Sequence, residues 1–146
     1  MNHLSVAIAD DNQKILDLLE KVIGTDQELD LVGKAKNGEE MCRIIKEKNP
    51  DVVLLDLIMP KMDGLTVMDQ INQDKSVSKR PYFIVITAVG QEKITEDAFN
   101  KGANYYMMKP FQNEMLLERI RSAGRMSHGM ETVSYTHLRA HETDSY

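Results

Sequence analysis

The stretch Val52-Val53-Leu54-Leu55-Asp56-Leu57-Ile58-Met59-Pro60-Lys61-Met62-Asp63-Gly64 decides the fold. Val52 to Leu55 form an unbroken apolar run rather than an alternating one, beginning with two β-branched residues. Such a run suits a strand buried on both faces, as in a parallel sheet flanked by helices. Asp56 ends it and so lands at the C-terminal edge of the sheet, where open α/β sheets bind their ligands. Met59-Pro60 and Asp63-Gly64 then stop an immediate helix and impose a loop around the carboxylate. An acid on a rigid strand tip under a fixed loop reads as a reactive site. A lone Asp there would more simply cap or solvate a turn, so its meaning depends on what else reaches that edge.

Working outward, Leu4 to Ala9 reads as a first strand that ends in Asp10-Asp11-Asn12. Ile15, Leu18, Leu19, Val22 and Ile23 then recur at helical spacing, and Gly24 is placed to close that helix. Leu29 to Ala35 supplies a second, looser strand before the turn Asn37-Gly38. The next helix starts with Glu39 and Glu40, which favour the positive end of its dipole, and buries Met41, Ile44 and Ile45 until Asn49-Pro50 stops it. Beyond Gly64 a helix points Leu65, Met68 and Ile71 inward, and 72–80 is a polar loop. Tyr82 to Thr87 is a fourth strand. A polar helix follows over Gln91 to Lys101, with a thin apolar face (Ile94, Ala98, Phe99) and Gly102 as its C-cap. Tyr105 to Met108 is a short fifth strand before Lys109-Pro110, and a last helix over about 113–123 buries Leu116, Leu117 and Ile120. Five alternations of strand and helix with short connections predict an α/β, flavodoxin-like (βα)5 doubly wound parallel sheet.

The 146 residues suffice for one domain with a proper core. A net charge of -5 argues against a nucleic-acid-binding surface. The single cysteine, Cys42, excludes an internal disulfide and suits a reducing compartment. With no signal peptide and no bilayer-spanning apolar run, the expected location is the cytoplasm. The expected domain is 1–123, with 124–132 the start of a hinge and 133–146 a non-native tail. Thr136-His-Leu-Arg-Ala-His-Glu-Thr143 resembles a translated sequencing adaptor and is set aside. His137 and His141, four apart, lack any accompanying metal motif.

In a doubly wound sheet all strand C-termini share one edge, and the first and third strands are neighbours at the order reversal. Asp10, Asp11, Asp56, Thr87 and Lys109 therefore converge. At about 4 Å and an effective dielectric near 20, each close carboxylate pair costs roughly 4 kcal/mol. Such a cluster calls for a divalent cation, and an all-oxygen site suits Mg²⁺. Lys109 and Thr87 can hold phosphate oxygens, so the set reads as a phosphoryl-transfer site. Each part alone has a plainer explanation: an N-cap for Asp10-Asp11, a strand end for Thr87, a solvated charge for Lys109. Their convergence on one edge does not.

Ala9-Asp10-Asp11-Asn12, Leu55-Asp56-Leu57-Ile58-Met59-Pro60, Met62-Asp63-Gly64, Thr87-Ala88 and Lys109-Pro110-Phe111 resemble the receiver domains of two-component response regulators. The resemblance spans 3–123. Within that family the chain is most similar to the receivers of the master sporulation regulators of Gram-positive spore formers. The strings that carry this are Ala35-Lys-Asn-Gly-Glu39, Asp56-Leu-Ile-Met-Pro60, Thr87-Ala-Val-Gly-Gln-Glu92 and Gly102-Ala-Asn-Tyr105. The resemblance implies that Asp56 is the phospho-acceptor and that Thr87 and Lys109 engage the new phosphoryl group. It implies Mg²⁺ on Asp11 and Asp56, on Asp10 through water, and on the Ile58 backbone carbonyl. Tyr106 takes the switch position with Thr87, its plainer alternative being a half-buried strand tyrosine.

The implied donor is a histidine kinase or histidine phosphotransfer protein, a homodimer on phosphorylation is compatible, and neither nucleic acid nor membrane is expected to bind this chain. Such regulators continue into a DNA-binding effector domain, which these residues do not contain. The module is expected to catalyse its own phosphorylation and slow dephosphorylation rather than turn over a substrate. A haloacid-dehalogenase-type hydrolase would want a second acid two residues after Asp56, where Ile58 stands. A flavin-binding domain would want a Ser/Thr-rich phosphate loop in place of Asp10-Asp11. A purely structural dimerisation module would have lost the acids.

Overall fold

The computed structural model describes residues 3–129. The elements run β1 (Leu4–Ala9), α1 (Gln13–Gly24), β2 (Leu29–Ala35), α2 (Gly38–Lys48), β3 (Val52–Asp56), α3 (Gly64–Gln73), β4 (Tyr82–Thr87), α4 (Glu92–Asn100), β5 (Tyr105–Met108) and α5 (Asn113–Gly129). The five strands form one sheet in the order β2-β1-β3-β4-β5, and every pairing is parallel. The flavodoxin-like doubly wound fold expected from the sequence is the fold observed.

Residue alternation along the central strands explains why their apolar runs are unbroken. Val53 and Leu55, with Phe83 and Val85, face α2, α3 and α4 and pack with Met41, Ile45, Val67, Met68 and Ala98. Val52 and Leu54, with Ile84 and Ile86, face the other side and pack with Leu19, Ile23, Leu116 and Ile120 of α1 and α5. Each central strand therefore contributes to two cores, and a polar residue in either register would be buried. Truncating such a side chain to Ala costs roughly 2–5 kcal/mol.

Short polar residues start the helices. Asn12, Asn37 and Asp63 cap α1, α2 and α3 by accepting the N–H of Lys14, Glu40 and Thr66. α1 ends at Gly24 as expected, and it closes on Thr25, whose Oγ1 donates to the Val22 carbonyl at 2.6 Å. Two expectations need correction. The loop expected over 72–80 begins later, because α3 runs to Gln73. The last helix, expected to end near Ala123, continues to Gly129. Gly124 lies against Leu4, where a Cβ would meet Leu4 Cδ1 at 2.5 Å, so this glycine permits close packing and does not end the helix. The helix thus takes in the first residues of the expected hinge, while the expected tail and its histidines lie outside the described residues. No helix among the described residues is long and apolar enough to cross a membrane. Cys42 is a buried free thiol, and burial pushes its pKa up.

Candidate functional site

Parallel register brings the acids together. Ala9 of β1 pairs with Leu55 of β3, so Asp10, just past β1, and Asp56, the last residue of β3, stand side by side. Asp10 is 0% exposed and Asp56 7%, while Asp11 projects to the surface. One carboxylate oxygen from each of Asp10, Asp11 and Asp56 lies within 4.8 Å of the others. The Asn12 N–H donates to Asp10 Oδ1 at 3.0 Å and the Ile58 N–H to Asp56 Oδ1 at 3.1 Å, so each buried carboxylate is oriented by the backbone two residues on.

Lys109, just past β5, reaches across to this cluster. Its Nζ lies 3.0 Å from Asp10 Oδ2 and 3.7 Å from Asp56 Oδ2, and its own N–H donates to the Thr87 carbonyl at 2.8 Å. The peptide bond to Pro110 is cis. Thr87, the last residue of β4, is 2% exposed. The strand ends thus carry Asp10, Asp11, Asp56, Thr87 and Lys109 to one edge. Tyr106 sits apart from them on β5, half-buried on the α4 side, its ring edge-on to Phe99 at a centroid distance of 6.2 Å. Tyr105 packs on the opposite face with the α5 half of the core.

The electrostatics follow from burial and like charge. Burial and the neighbouring Asp10 charge push the Asp56 pKa up to about 6, against the opposing pull of the Ile58 N–H and Lys109. Burial alone would lower Lys109, but the Asp10 hydrogen bond and the charges of Asp56, Asp10 and Asp11 outweigh it and leave its pKa raised. Lys109 is therefore a fixed positive charge beside a carboxylate that resists ionisation. The donor set is all oxygen, carries three carboxylates and holds one of them above its ordinary pKa, which is the chemistry that a hard divalent cation relieves. Asp10, Asp11 and Asp56 fit Mg²⁺ on that ground.

Two supporting features escaped the sequence reading. Asn12 was visible as part of an acidic string, yet it serves both Asp10 and the cap of α1. Gly38 was read as a turn residue, but it opens α2 and admits the loop after β3. A Cβ on Gly38 would lie 2.2 Å from the Met62 carbonyl oxygen. The spacing of Asn37-Gly38 gave no signal of that contact, because Met62 is remote in sequence.

The family model for the response regulator receiver domain matches residues 6–121. Among solved structures, the chain is similar to the response regulator domain of Thermotoga maritima CheB, with a TM-score of 0.74 and 26% identity over 84% of this chain and 96% of that one. It is similar to CheY in the CheX–CheY–BeF3–Mg²⁺ complex from Borrelia burgdorferi, with a TM-score of 0.71 and 31% identity over 82% of this chain and 87% of that one. A DNA-binding response regulator of the LuxR family from Staphylococcus aureus aligns with a TM-score of 0.74 and 28% identity, over 82% of this chain and 98% of that one.

Proposed function

The chain belongs to the response regulator receiver domain family, and from that premise we propose that it is the phospho-acceptor of a two-component or phosphorelay pathway, with Asp56 as the acceptor. The observation that carries this is the gathering of Asp10, Asp11 and Asp56 around one point with Lys109 Nζ bridging Asp10 and Asp56. In the reaction, a carboxylate oxygen of Asp56 bonds to phosphorus as the phosphorus–nitrogen bond of a donor phosphohistidine breaks, and the bonding pair leaves with the imidazole. Asp56 must be ionised to attack. The backbone N–H of Ile58 holds its Oδ1, and Lys109 lies close to its Oδ2. Asp11, Asp56 and the Ile58 carbonyl, with Asp10 through water, would hold Mg²⁺, which would supply charge neutralisation among the carboxylates and the phosphoryl oxygens. Lys109 and Thr87 then hold the transferred group, and Tyr106 changes its packing against Phe99 as Thr87 moves. The Borrelia relative, whose structure holds BeF3 and Mg²⁺, supports the metal and the anion.

The donor is a histidine kinase or histidine phosphotransfer protein of the cytoplasm. The finer placement among sporulation regulators rests on the sequence strings, and the structural relatives named above do not bear on it. By the resemblance to the family, the residues two after the acceptor and two after Thr87 border the approach of water; here they are Ile58 and Val89, whose side chains cannot hydrogen-bond it, so the group on Asp56 is long-lived. The test is incubation with acetyl phosphate and Mg²⁺ followed by intact mass. The wild type gains one phosphoryl group, and chelation of the metal or Asp56→Asn prevents the gain. Equal labelling of Asp56→Asn would overturn the assignment.

A further inference from the structure

The turn from β4 to α4 is held in an unusual way. Ala88, directly after Thr87, donates its N–H to the side-chain Oε1 of Gln91 at 2.8 Å, and the Gln91 N–H donates back to the Ala88 carbonyl at 3.1 Å. Val89, between them, is 80% exposed. Gly90 adopts φ +92°, and a Cβ built on it would find nothing within 4 Å. The turn therefore gains little from packing, and its shape rests on the Ala88–Gln91 pair.

The far end of α4 is anchored by several groups at once. Asn72 Nδ2 donates to the Lys101 carbonyl at 2.8 Å, and Arg80 donates to the Gly102 carbonyl at 3.0 Å and to Asn72 Oδ1 at 2.8 Å. Lys101 pairs with Asp69 at 2.9 Å. Between these ends, α4 buries only Thr95 and Ala98. The helix is thus clamped by several side chains where it is remote from the acids, while at its site-proximal end only the neutral Gln91 carboxamide reaches back to Ala88, and Thr95 Oγ1 donates to the Gln91 carbonyl at 2.7 Å.

We propose that Gln91 is a positioning residue for the phosphoryl site: its carboxamide latches Ala88, and through the shared peptide Thr87, in the resting position, and lets go when Thr87 closes toward Asp56. This rests on the reading of Asp56 as the acceptor. Thr87 and Ala88 are joined by one planar peptide, so a displacement of Thr87 carries the Ala88 N–H with it. Gln91 belongs to the α4 end of the turn, where the Thr95 N–H and Oγ1 both donate to its carbonyl, at 3.0 and 2.7 Å, so it does not follow. A neutral hydrogen bond is worth a modest net amount, which sets the latch at roughly twofold to tenfold in the ratio of resting to switched protein.

The experiment compares wild type with Gln91→Leu and Gln91→Ala, which lack the acceptor, and Gln91→Glu, which keeps it. Two quantities are read: amide hydrogen exchange at Ala88 in unphosphorylated protein, and the rate of Asp56 labelling at subsaturating acetyl phosphate with Mg²⁺. Both acceptor-less variants should exchange Ala88 faster and label roughly twofold to tenfold faster, while Gln91→Glu stays near wild type in both. A merely structural role would slow labelling and leave no rescue by Glu. Wild-type exchange at Ala88, or labelling no faster than wild type in the folded Leu and Ala variants, overturns the latch alone. Failure of the wild type itself to label overturns the reading of Asp56, and the latch with it.

Discussion

Asp56→Asn should stabilise the metal-free protein, and by an amount that depends on pH in a defined way. The folded Asp56 holds its proton up to about pH 6, against an ordinary value of 3.8. An acid raised on folding binds its proton more tightly in the native state, so native stability falls as pH rises from about 4 to about 6 and then levels. At about 1.4 kcal/mol for each pKa unit, the full step is about 3 kcal/mol, of which about 2 kcal/mol falls between pH 4.5 and 8. Asn keeps the shape and an acceptor for the Ile58 N–H, but carries no charge to repel Asp10. The assay is urea unfolding of both proteins in chelator at several pH values across that range. Subtracting the two curves cancels the depressed carboxylates elsewhere, such as Asp74 beside Lys46, which weaken the fold at the acid end in both proteins alike. The variant's advantage should grow by about 2 kcal/mol from pH 4.5 to 8. Parallel curves would refute the reasoning, because Asp56 would then ionise no less readily folded than unfolded.

Mg²⁺ should raise the melting temperature by binding only the folded cluster, and Asp11→Ala should remove most of that rise in a thermal scan with and without the ion. Gly38→Ala should cost about 1–3 kcal/mol in urea unfolding, the range for overpacking, because its Cβ would meet the Met62 carbonyl oxygen, a backbone atom that cannot swing aside. Ile58→Asn, and to a lesser degree Val89→Glu, should shorten the lifetime of the phosphoryl group after donor removal in Mg²⁺. An unchanged decay in both would mean that water access does not limit it. Val89 is the weaker lever because it is 80% exposed against 50% for Ile58.

The fold was legible wherever burial on both faces left no choice of residue. Val52–Leu55 and Tyr82–Ile86 had to be central strands because each alternate residue enters a different core. Glycines were the weak point. Gly124 looks like a helix stop in sequence, yet it makes room for Leu4, a contact from the other end of the domain. Gly24 and Gly102 behave as read: Gly24 is the last residue of α1, and Gly102 takes φ +108° just after α4. At the site, strand ends could be assigned to one edge from topology, but the pairing within it could not. Lys109 was read as a partner for phosphate oxygens. Its nearest acidic partner is Asp10, which lies 99 positions away in sequence, is fully buried and draws the nearest cation. The bond from Ala88 to Gln91 was hidden for a different reason: Gln is a weak capping residue, and nothing in its type announces that its side chain turns back along the chain.

In the proposed reaction the acceptor is the carboxylate of Asp56 and no other acid of the cluster. Reductive trapping tests it most directly: the protein is phosphorylated in Mg²⁺, treated with borohydride, and its peptides are sequenced by mass spectrometry. An acyl phosphate is reduced to an alcohol at the residue that bore it. This conversion is expected at Asp56 alone, with Asp10 and Asp11 unchanged. Conversion at Asp10 or Asp11, or a stable label that borohydride does not remove, would contradict it.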